Sequence, residues 1–226
     1  TLQQEASRKL RLSPSQAMRV AQQLYEGIEI GAEGQEGLIT YMRTDSTNVA
    51  VSALEETSKY VLEKFGEKYV SKSHRRYSRK VMGAQEAHEA IRPTSVFRTP
   101  NSIKSYLNSE QFRLYELIWK RMIASQMPDA IFDNKTIDIV TNNSQSGDKY
   151  IFQIVGSKLK FDGFRAIYIE GIDDESDSIN GKSNDLPDLQ QDETVECLDK
   201  IAEQNFTKPP NRFSEASLIR ALEKEG

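Results

Sequence analysis

Cysteine occurs once in the 226 residues, at Cys197, and histidine twice, at His74 and His88. A single cysteine excludes an internal disulfide framework and a cysteine-cluster zinc site, and it fits a reducing, cytoplasmic setting. Two histidines with no neighbouring cysteine build no metal cluster by spacing, so no metal ligand is expected within the chain. Long apolar runs are missing too: nothing approaches the roughly 18 residues of a membrane helix, and a membrane-spanning role is not expected. Thr1, not Met, opens the sequence, and no charged-then-apolar leader follows, so no signal peptide is expected. Helical patterning begins at the first residue and Gly226 closes a helix at the last, which reads as a piece of something larger. There is no glycine-rich loop followed by Lys-Ser/Thr to cradle phosphates, and no spaced-glycine dinucleotide fingerprint. A Ser-His-Asp triad has candidates for each role but no nucleophile-elbow context.

What is present is a globular composition, 37% hydrophobic and 28% charged, long enough for one large domain or two small ones. The net charge of -4 is unevenly placed. Residues 1–127 carry 19 Lys and Arg against 14 Asp and Glu, a surplus of five positive charges. Residues 128–226 carry 11 against 20, a surplus of nine negative charges. A basic half suits a polyanionic partner, although many plain helical domains show a surplus of this size.

The first half is patterned as helices. Residues 2–10 read as helical, and Ser13-Pro14-Ser15-Gln16 supplies a cap, a proline at the first helical position and a glutamine three residues on. Met18, Ala21, Leu24 and Tyr25 follow at helical spacing, with Gly27 as the stop. After a glycine-rich loop (Gly31, Gly34, Gly37), Leu38 to Thr44 reads as extended. Ser52-Ala53-Leu54-Glu55 predicts a second capping box for a helix reaching Phe65 and Gly66. The basic stretch from His74 to Lys80 leads to a short helix around Gln85–Ala90, halted by Pro93. Ser109 to Met127 carries the strongest helical period, with Leu114, Tyr115, Ile118, Met122 and Trp119 inward.

From Lys135 the period becomes two. Residues 136–140 and 150–155 flank a polar turn and read as a hairpin. Lys158 to Phe161, Phe164 to Glu170 and Thr194 to Ala202 read as further strands, and the acidic stretch 171–193 as a mobile loop. Ser214 caps a last helix, Glu215 to Glu225. The expected fold class is therefore α+β, with helices before Pro128 and strands after it.

One segment carries chemistry: Gly37-Leu38-Ile39-Thr40-Tyr41-Met42-Arg43-Thr44-Asp45-Ser46-Thr47-Asn48. In an extended chain Tyr41 and Arg43 share a face. A phenol is a poor nucleophile while protonated, with a usual pKa near 10, and a neighbouring cation favours its ionised form. An arginine fork also matches the non-bridging oxygens of a phosphodiester. Thr44, Asp45 and Ser46 add donors and acceptors near the start of a helix, where free amides favour an anion. An ordinary edge strand with an exposed Tyr and Arg would carry the same residues.

Leu38 to Thr47 resembles the active-site segment of type IA DNA topoisomerases. Met42 between the Tyr and the Arg is like the bacterial DNA topoisomerase I branch, since the decatenating branch and reverse gyrase usually show proline there. Three further blocks are similar to the same family, in the same order: Thr1 to Ala6, Ala84 to Thr94, and Phe206 to Leu218.

The resemblance implies a function and a set of roles. Tyr41 matches the nucleophile that forms a 5′-phosphotyrosyl bond and leaves a free 3′-hydroxyl. Two successive transesterifications preserve the bond energy, so relaxation of negatively supercoiled DNA needs no ATP. Arg43 matches the arginine on the scissile phosphate, and His88 the histidine beside the cleaved backbone, although His88 could equally be a helix-packing residue. Thr40, Thr44, Asp45, Arg92 and Thr207 fall in the matching blocks and are expected to contact DNA. Arg212 and Ser214 form a natural phosphate site or, equally, a helix cap with a surface ion pair.

The same resemblance implies an all-helical gate domain over residues 1–127 and part of an antiparallel β-rich arch over 128–207. Residues 208–226 would be the start of a helix returning towards the active site. Mg2+ would be held by an N-terminal acidic (Toprim) domain lying outside these residues. The partners implied are single-stranded and negatively supercoiled DNA, with no membrane and a monomeric enzyme in the bacterial cytoplasm. The isolated piece is expected to bind DNA weakly and not to relax it, and its β half to be poorly stable alone. A non-catalytic single-stranded nucleic-acid-binding module is the rival reading; it needs Arg43 but not Tyr41.

Overall fold

A computed structural model describes residues 1–77, 88–142, 149–171, 186–207 and 209–225. The hairpin turn at 143–148, residues 85–87 of the expected short helix, 172–185 of the acidic stretch, 78–80 of the basic stretch, Lys208 and Gly226 lie outside the described residues.

The chain opens with α1 (Leu2–Glu5), which widens into a π-helical turn over Ala6–Leu10, and continues into α2 (Pro14–Glu26). The Ser13 box forms: Gln16 N–H donates to Ser13 Oγ at 3.3 Å, and Ser13 N–H to Gln16 Oε1 at 3.0 Å. Gly27 ends α2 at φ 118°, a conformation open to glycine. Beyond it, β1 (Ile28–Glu29) and β2 (Gln35–Glu36) form a two-rung antiparallel ladder, so the first half is not wholly helical. α3 (Val51–Phe65), α4 (Pro100–Ile103) and α5 (Ser109–Gln126) complete the helical part.

The Ser52 box does not form. α3 starts at Val51 with Ala50 as its cap, and the Ala50 carbonyl accepts from Ala53 and Leu54 N–H, both at 3.1 Å. Ser52 is therefore already helical, and the cap residue Ala50 makes no side-chain capping hydrogen bond.

α5 is the centre of the core. Asn108 and Gln111 form its capping box, and Leu114, Tyr115, Ile118, Trp119, Met122 and Ile123 are buried. Burying side chains of this size contributes about 1.5–3 kcal/mol each. The two polar rings need partners, and both find them in the loop after Pro93. Tyr115 Oη donates to Arg98 O at 2.6 Å, and Trp119 Nε1 to Val96 O at 2.8 Å. That loop is thereby fixed to the deepest helix of the fold.

The second half departs from its expected strands. β3 (Ile131–Asn142) pairs with β4 (Lys149–Phe161) in one long antiparallel hairpin, with Ile137 opposite Ile154 and Ile139 opposite Phe152. Lys158 to Phe161 is the end of β4, not a separate strand. The expected strand Phe164 to Glu170 is absent: Gly163 turns at φ 49°, and a 3-10 turn runs from Gly163 to Ala166. A Cβ at Gly163 would lie 2.5 Å from Pro128 O, so only glycine fits. Phe164 N–H then donates to the same carbonyl at 2.9 Å, which closes the hairpin's base.

Tyr168 follows and is drawn inward, away from any ladder. Its hydroxyl donates to the buried Glu5 carboxylate at 2.5 Å, and Gly171 N–H donates to the same oxygen at 3.2 Å. Burial alone would raise Glu5, but these two bonds, with Arg8 and Lys9, outweigh it and hold the carboxyl below its ordinary range. Thr194 to Ala202 also forms no strand. Leu198 and Ile201 are exposed there, and without a neighbouring strand the backbone has no ladder to join. α6 (Glu215–Glu225) forms as expected and lies on α1, where Gln4 Nε2 donates to Glu223 Oε2 at 3.1 Å.

Candidate active site

The segment bearing Tyr41 is held on both sides of its backbone. Leu38 N–H donates to Leu24 O at the end of α2, at 2.8 Å. Its other neighbour is the chain from Arg92 to Thr94: Thr94 N–H donates to Leu38 O at 3.0 Å, and Thr40 N–H to Arg92 O at 2.9 Å. Ile39 and Pro93 form the bridge between them. Leu38 and Ile39 are fully buried, so this short pairing roots the segment in the core.

The extended reading of Leu38 to Thr44 holds only as far as this pairing, and the chain bends at Thr40, Met42 and Arg43. Met42 is buried at 5% exposure, while Tyr41 stands 38% exposed and Arg43 is exposed. The two side chains flank an inward methionine and both face solvent. The Tyr41 ring meets two others: Tyr25 at 5.4 Å between centroids, edge-on at 66°, and His88 at 5.7 Å, tilted by 42°. His88, 47 places away in sequence, is thus brought beside Tyr41.

Thr40 does structural work. Its hydroxyl donates to Ala90 O at 2.7 Å and accepts from Arg92 N–H at 2.9 Å. Thr44 Oγ1 accepts from Ser46 N–H at 3.0 Å, and Ser46 Oγ from Asn48 N–H at 3.1 Å. These are consecutive hydroxyl turns. They lead towards α3, which begins at Val51, five residues beyond Ser46. Asp45 is exposed between them.

Arg92 is engaged by Glu89. Its Nε donates to Glu89 Oε1 at 2.7 Å, its Nη2 to Oε2 at 2.9 Å, and its Nη1 to Pro93 O at 2.9 Å. Glu89 Oε1 also accepts from Ala50 N–H at 2.7 Å, and Ala90 N–H donates to Asn48 O at 2.7 Å. One carboxylate therefore ties the His88–Arg92 stretch to the start of α3. Burial would raise Glu89, but the Arg92 fork, the Ala50 amide and the Arg92 charge together hold it below the ordinary glutamate value.

A carboxyl depressed in the folded state stabilises above its unfolded pKa and loses that contribution as pH falls through the folded one. The melting temperature of the protein is thus expected to exceed that of Glu89→Gln near neutral pH. The gap should close as pH drops below 4.5, the unperturbed value. Thermal unfolding of both proteins against pH checks this; a gap that does not narrow on acidification would count against the clamp.

Thr207, Arg212 and Ser214 are exposed and lie on the approach to α6. Ser214 caps that helix, accepting from Ser217 N–H at 3.1 Å. No hydrogen bond or ring contact among the described residues joins these three to Tyr41, Arg43 or His88. Two contributors escaped the sequence reading. Glu89 carried a signal, an acid three places before Arg92; Tyr25 carried only an aromatic in the last turn of α2, which the helical period placed inward and the structure leaves 42% exposed. Among the described residues no group of three or more His, Cys, Asp or Glu could hold a metal ion, and no helix is long and apolar enough to cross a membrane.

These features sit in a known framework. A sequence profile of the DNA topoisomerase family matches residues 1–226. DNA topoisomerase 1 of Xylella fastidiosa, strain Temecula1, is 43% identical over 226 residues, covering 100% of this chain and 27% of that protein. The protein of the same name from strain 9a5c gives the same figures, 43% over 226 residues. Among solved structures, full-length topoisomerase I from Thermotoga maritima, in a monoclinic crystal form, superposes with a TM-score of 0.70 at 36% identity. That match covers 99% of this chain and 33% of that one. The chain belongs to the DNA topoisomerase family. It spans about a quarter to a third of the length of these relatives.

Proposed function

We propose that these residues are the nucleophile-bearing part of a bacterial type IA topoisomerase, which relaxes negatively supercoiled DNA by cutting, passing and resealing one strand. The observation that carries this is the exposed Tyr41–Arg43 pair, set either side of buried Met42 with the His88 ring against Tyr41. Tyr41 Oη attacks the phosphorus of one backbone ester. The bond from phosphorus to the 3′ oxygen breaks, the phenol's proton leaves the tyrosine, and the 3′ oxygen departs as a hydroxyl after gaining a proton. The product is a tyrosyl ester at the new 5′ end, and the reverse displacement reseals the strand. Arg43 holds the non-bridging oxygens during both steps. His88 lies where it can donate to the strand or orient Tyr41.

Residues 1–127 are the helical gate domain in this reading, residues 128–207 a portion of the arch, and 208–226 the start of the return helix. Thr40 and Arg92 set the backbone of the site, while Thr44, Asp45, Thr207, Arg212 and Ser214 offer contacts along the strand. The group that takes the phenol's proton, and the Mg2+ ion, belong to a domain outside these residues. Among the described residues no group of His, Cys, Asp and Glu forms a site for that ion.

The test is adduct mapping. Full-length enzyme is quenched during cleavage of a single-stranded oligonucleotide and digested, and the nucleotide-bearing peptide is sequenced by mass spectrometry. The expected adduct is on Tyr41, joined to the 5′ end of the downstream strand. An adduct on another residue, or on a 3′ end, would overturn the assignment.

A further inference from the structure

Tyr25 stands in an odd place for its size. It occupies the last turn of α2, 42% exposed, while the rest of that helix buries Ala17, Val20, Ala21 and Leu24. Its backbone is fixed against the active segment: Leu24 O accepts from Leu38 N–H at 2.8 Å, and a Cβ on Gly37 would lie 3.0 Å from Tyr25 O. The aromatic edge-on contact to Tyr41, 5.4 Å between centroids, is therefore carried on a rigid mount. Tyr41 itself has no hydrogen-bonding partner among the described residues, so ring contacts are what select its rotamer.

We propose that Tyr25 is a positioning residue: its ring restricts Tyr41 to the rotamer from which Oη reaches the scissile phosphorus. The inference rests on Tyr41 being the nucleophile. Displacement at phosphorus requires the attacking oxygen near and in line, so an exposed phenol sampling other rotamers loses rate in proportion. A ring pair of this kind shifts a population by about two- to tenfold. The ring, not the hydroxyl, does this, so phenylalanine at the position should serve.

The experiment uses full-length enzyme and a single-stranded oligonucleotide, and measures the single-turnover cleavage rate and the dissociation constant separately. Tyr25→Leu is expected to slow cleavage about two- to tenfold with the dissociation constant unchanged. Tyr25→Met should do the same, and Tyr25→Phe should restore the rate. Leu and Met variants that cleave at the parent rate would overturn the proposal. So would a Phe variant as slow as Leu, which would assign the role to the hydroxyl. A loss of affinity matching the loss of rate would make Tyr25 a structural or binding residue, and also overturns it. Tyr41→Phe in the same assay separates the two levels: if it still cleaves, the nucleophile assignment fails; if it does not while Tyr25→Leu is normal, only the positioning role fails.

Discussion

Tyr41→Phe in the full-length enzyme is expected to lower relaxation and covalent adduct formation by at least about three orders of magnitude, the usual consequence of deleting a nucleophile. The substitution removes one oxygen and little else. The ring contacts with Tyr25 and His88 persist, because both are made by the aromatic carbons. The hydroxyl is unpartnered among the described residues and the side chain is 38% exposed, so its loss leaves no buried group unsatisfied. Stability should therefore stay within about 0.5 kcal/mol and oligonucleotide affinity within about twofold. Supercoiled-plasmid relaxation, adduct trapping and a melting curve on the same preparation check the three statements together. Relaxation at the parent rate would turn the reading towards a nucleic-acid-binding module, which has no use for the phenol oxygen. Relaxation lost along with the fold would say nothing of the chemistry, which is why the melting curve belongs to the test.

The elements that could be read in advance are those whose signals are local and complete. α2 and α5 have a cap, a glutamine three residues on and an uninterrupted apolar face, and each begins where its capping box places it. The Ser52 box failed because α3 starts at Val51, so the chain is already helical when it reaches the serine; the Ala50 amide at that start is taken by Glu89 from 39 residues away. The lost strands failed similarly. Phe164 to Glu170 has the alternation of a strand, yet Gly163 folds the chain back on Pro128 and Tyr168 is captured by Glu5, 163 residues distant. Thr194 to Ala202 alternates as well, but a strand is half of a pair and period alone does not supply the other half.

The site divides in the same way. The pattern of an exposed Tyr41 and Arg43 about a buried Met42 matches the alternation expected of an extended segment, although the chain bends at Met42 and Arg43. The occupation of Arg92 by Glu89, the use of Thr40's hydroxyl within the backbone pairing, and the approach of Tyr25 to Tyr41 depend on which segments the core brings together. The core's grip on this region is long-range. Tyr115 and Trp119 hold residues 96–98, which follow directly on the chain that pairs with Leu38 and Thr40.

That division separates two arginines that are both expected from the sequence to meet DNA. Arg92, Arg75, Arg98 and Arg121 each face a carboxylate within 3.1 Å, whereas Arg43 has no ion pair among the described residues and is exposed, two residues after Tyr41. An arginine left without an internal carboxylate two residues after the proposed nucleophile is available to an incoming phosphate. Arg43→Ala is thus expected to reduce the single-turnover cleavage rate by about 10²–10³, the range for removing a preorganised donor from developing negative charge. Arg43→Lys should recover only part of this, because an ammonium keeps the charge but not the planar fork. The salt dependence of single-stranded DNA binding should become shallower by about 0.7 in the log–log slope, the value for one phosphate contact. Arg92→Ala should behave in the opposite manner. It releases Glu89 and loosens the start of α3, so its main effect is a lower melting temperature, with the salt slope unchanged. Cleavage rates, salt titrations and melting curves for the three variants distinguish the roles. An Arg43→Ala enzyme that cleaves at the parent rate with an unaltered salt slope would remove the phosphate from Arg43, and with it the physical reason for placing that residue two positions after the tyrosine.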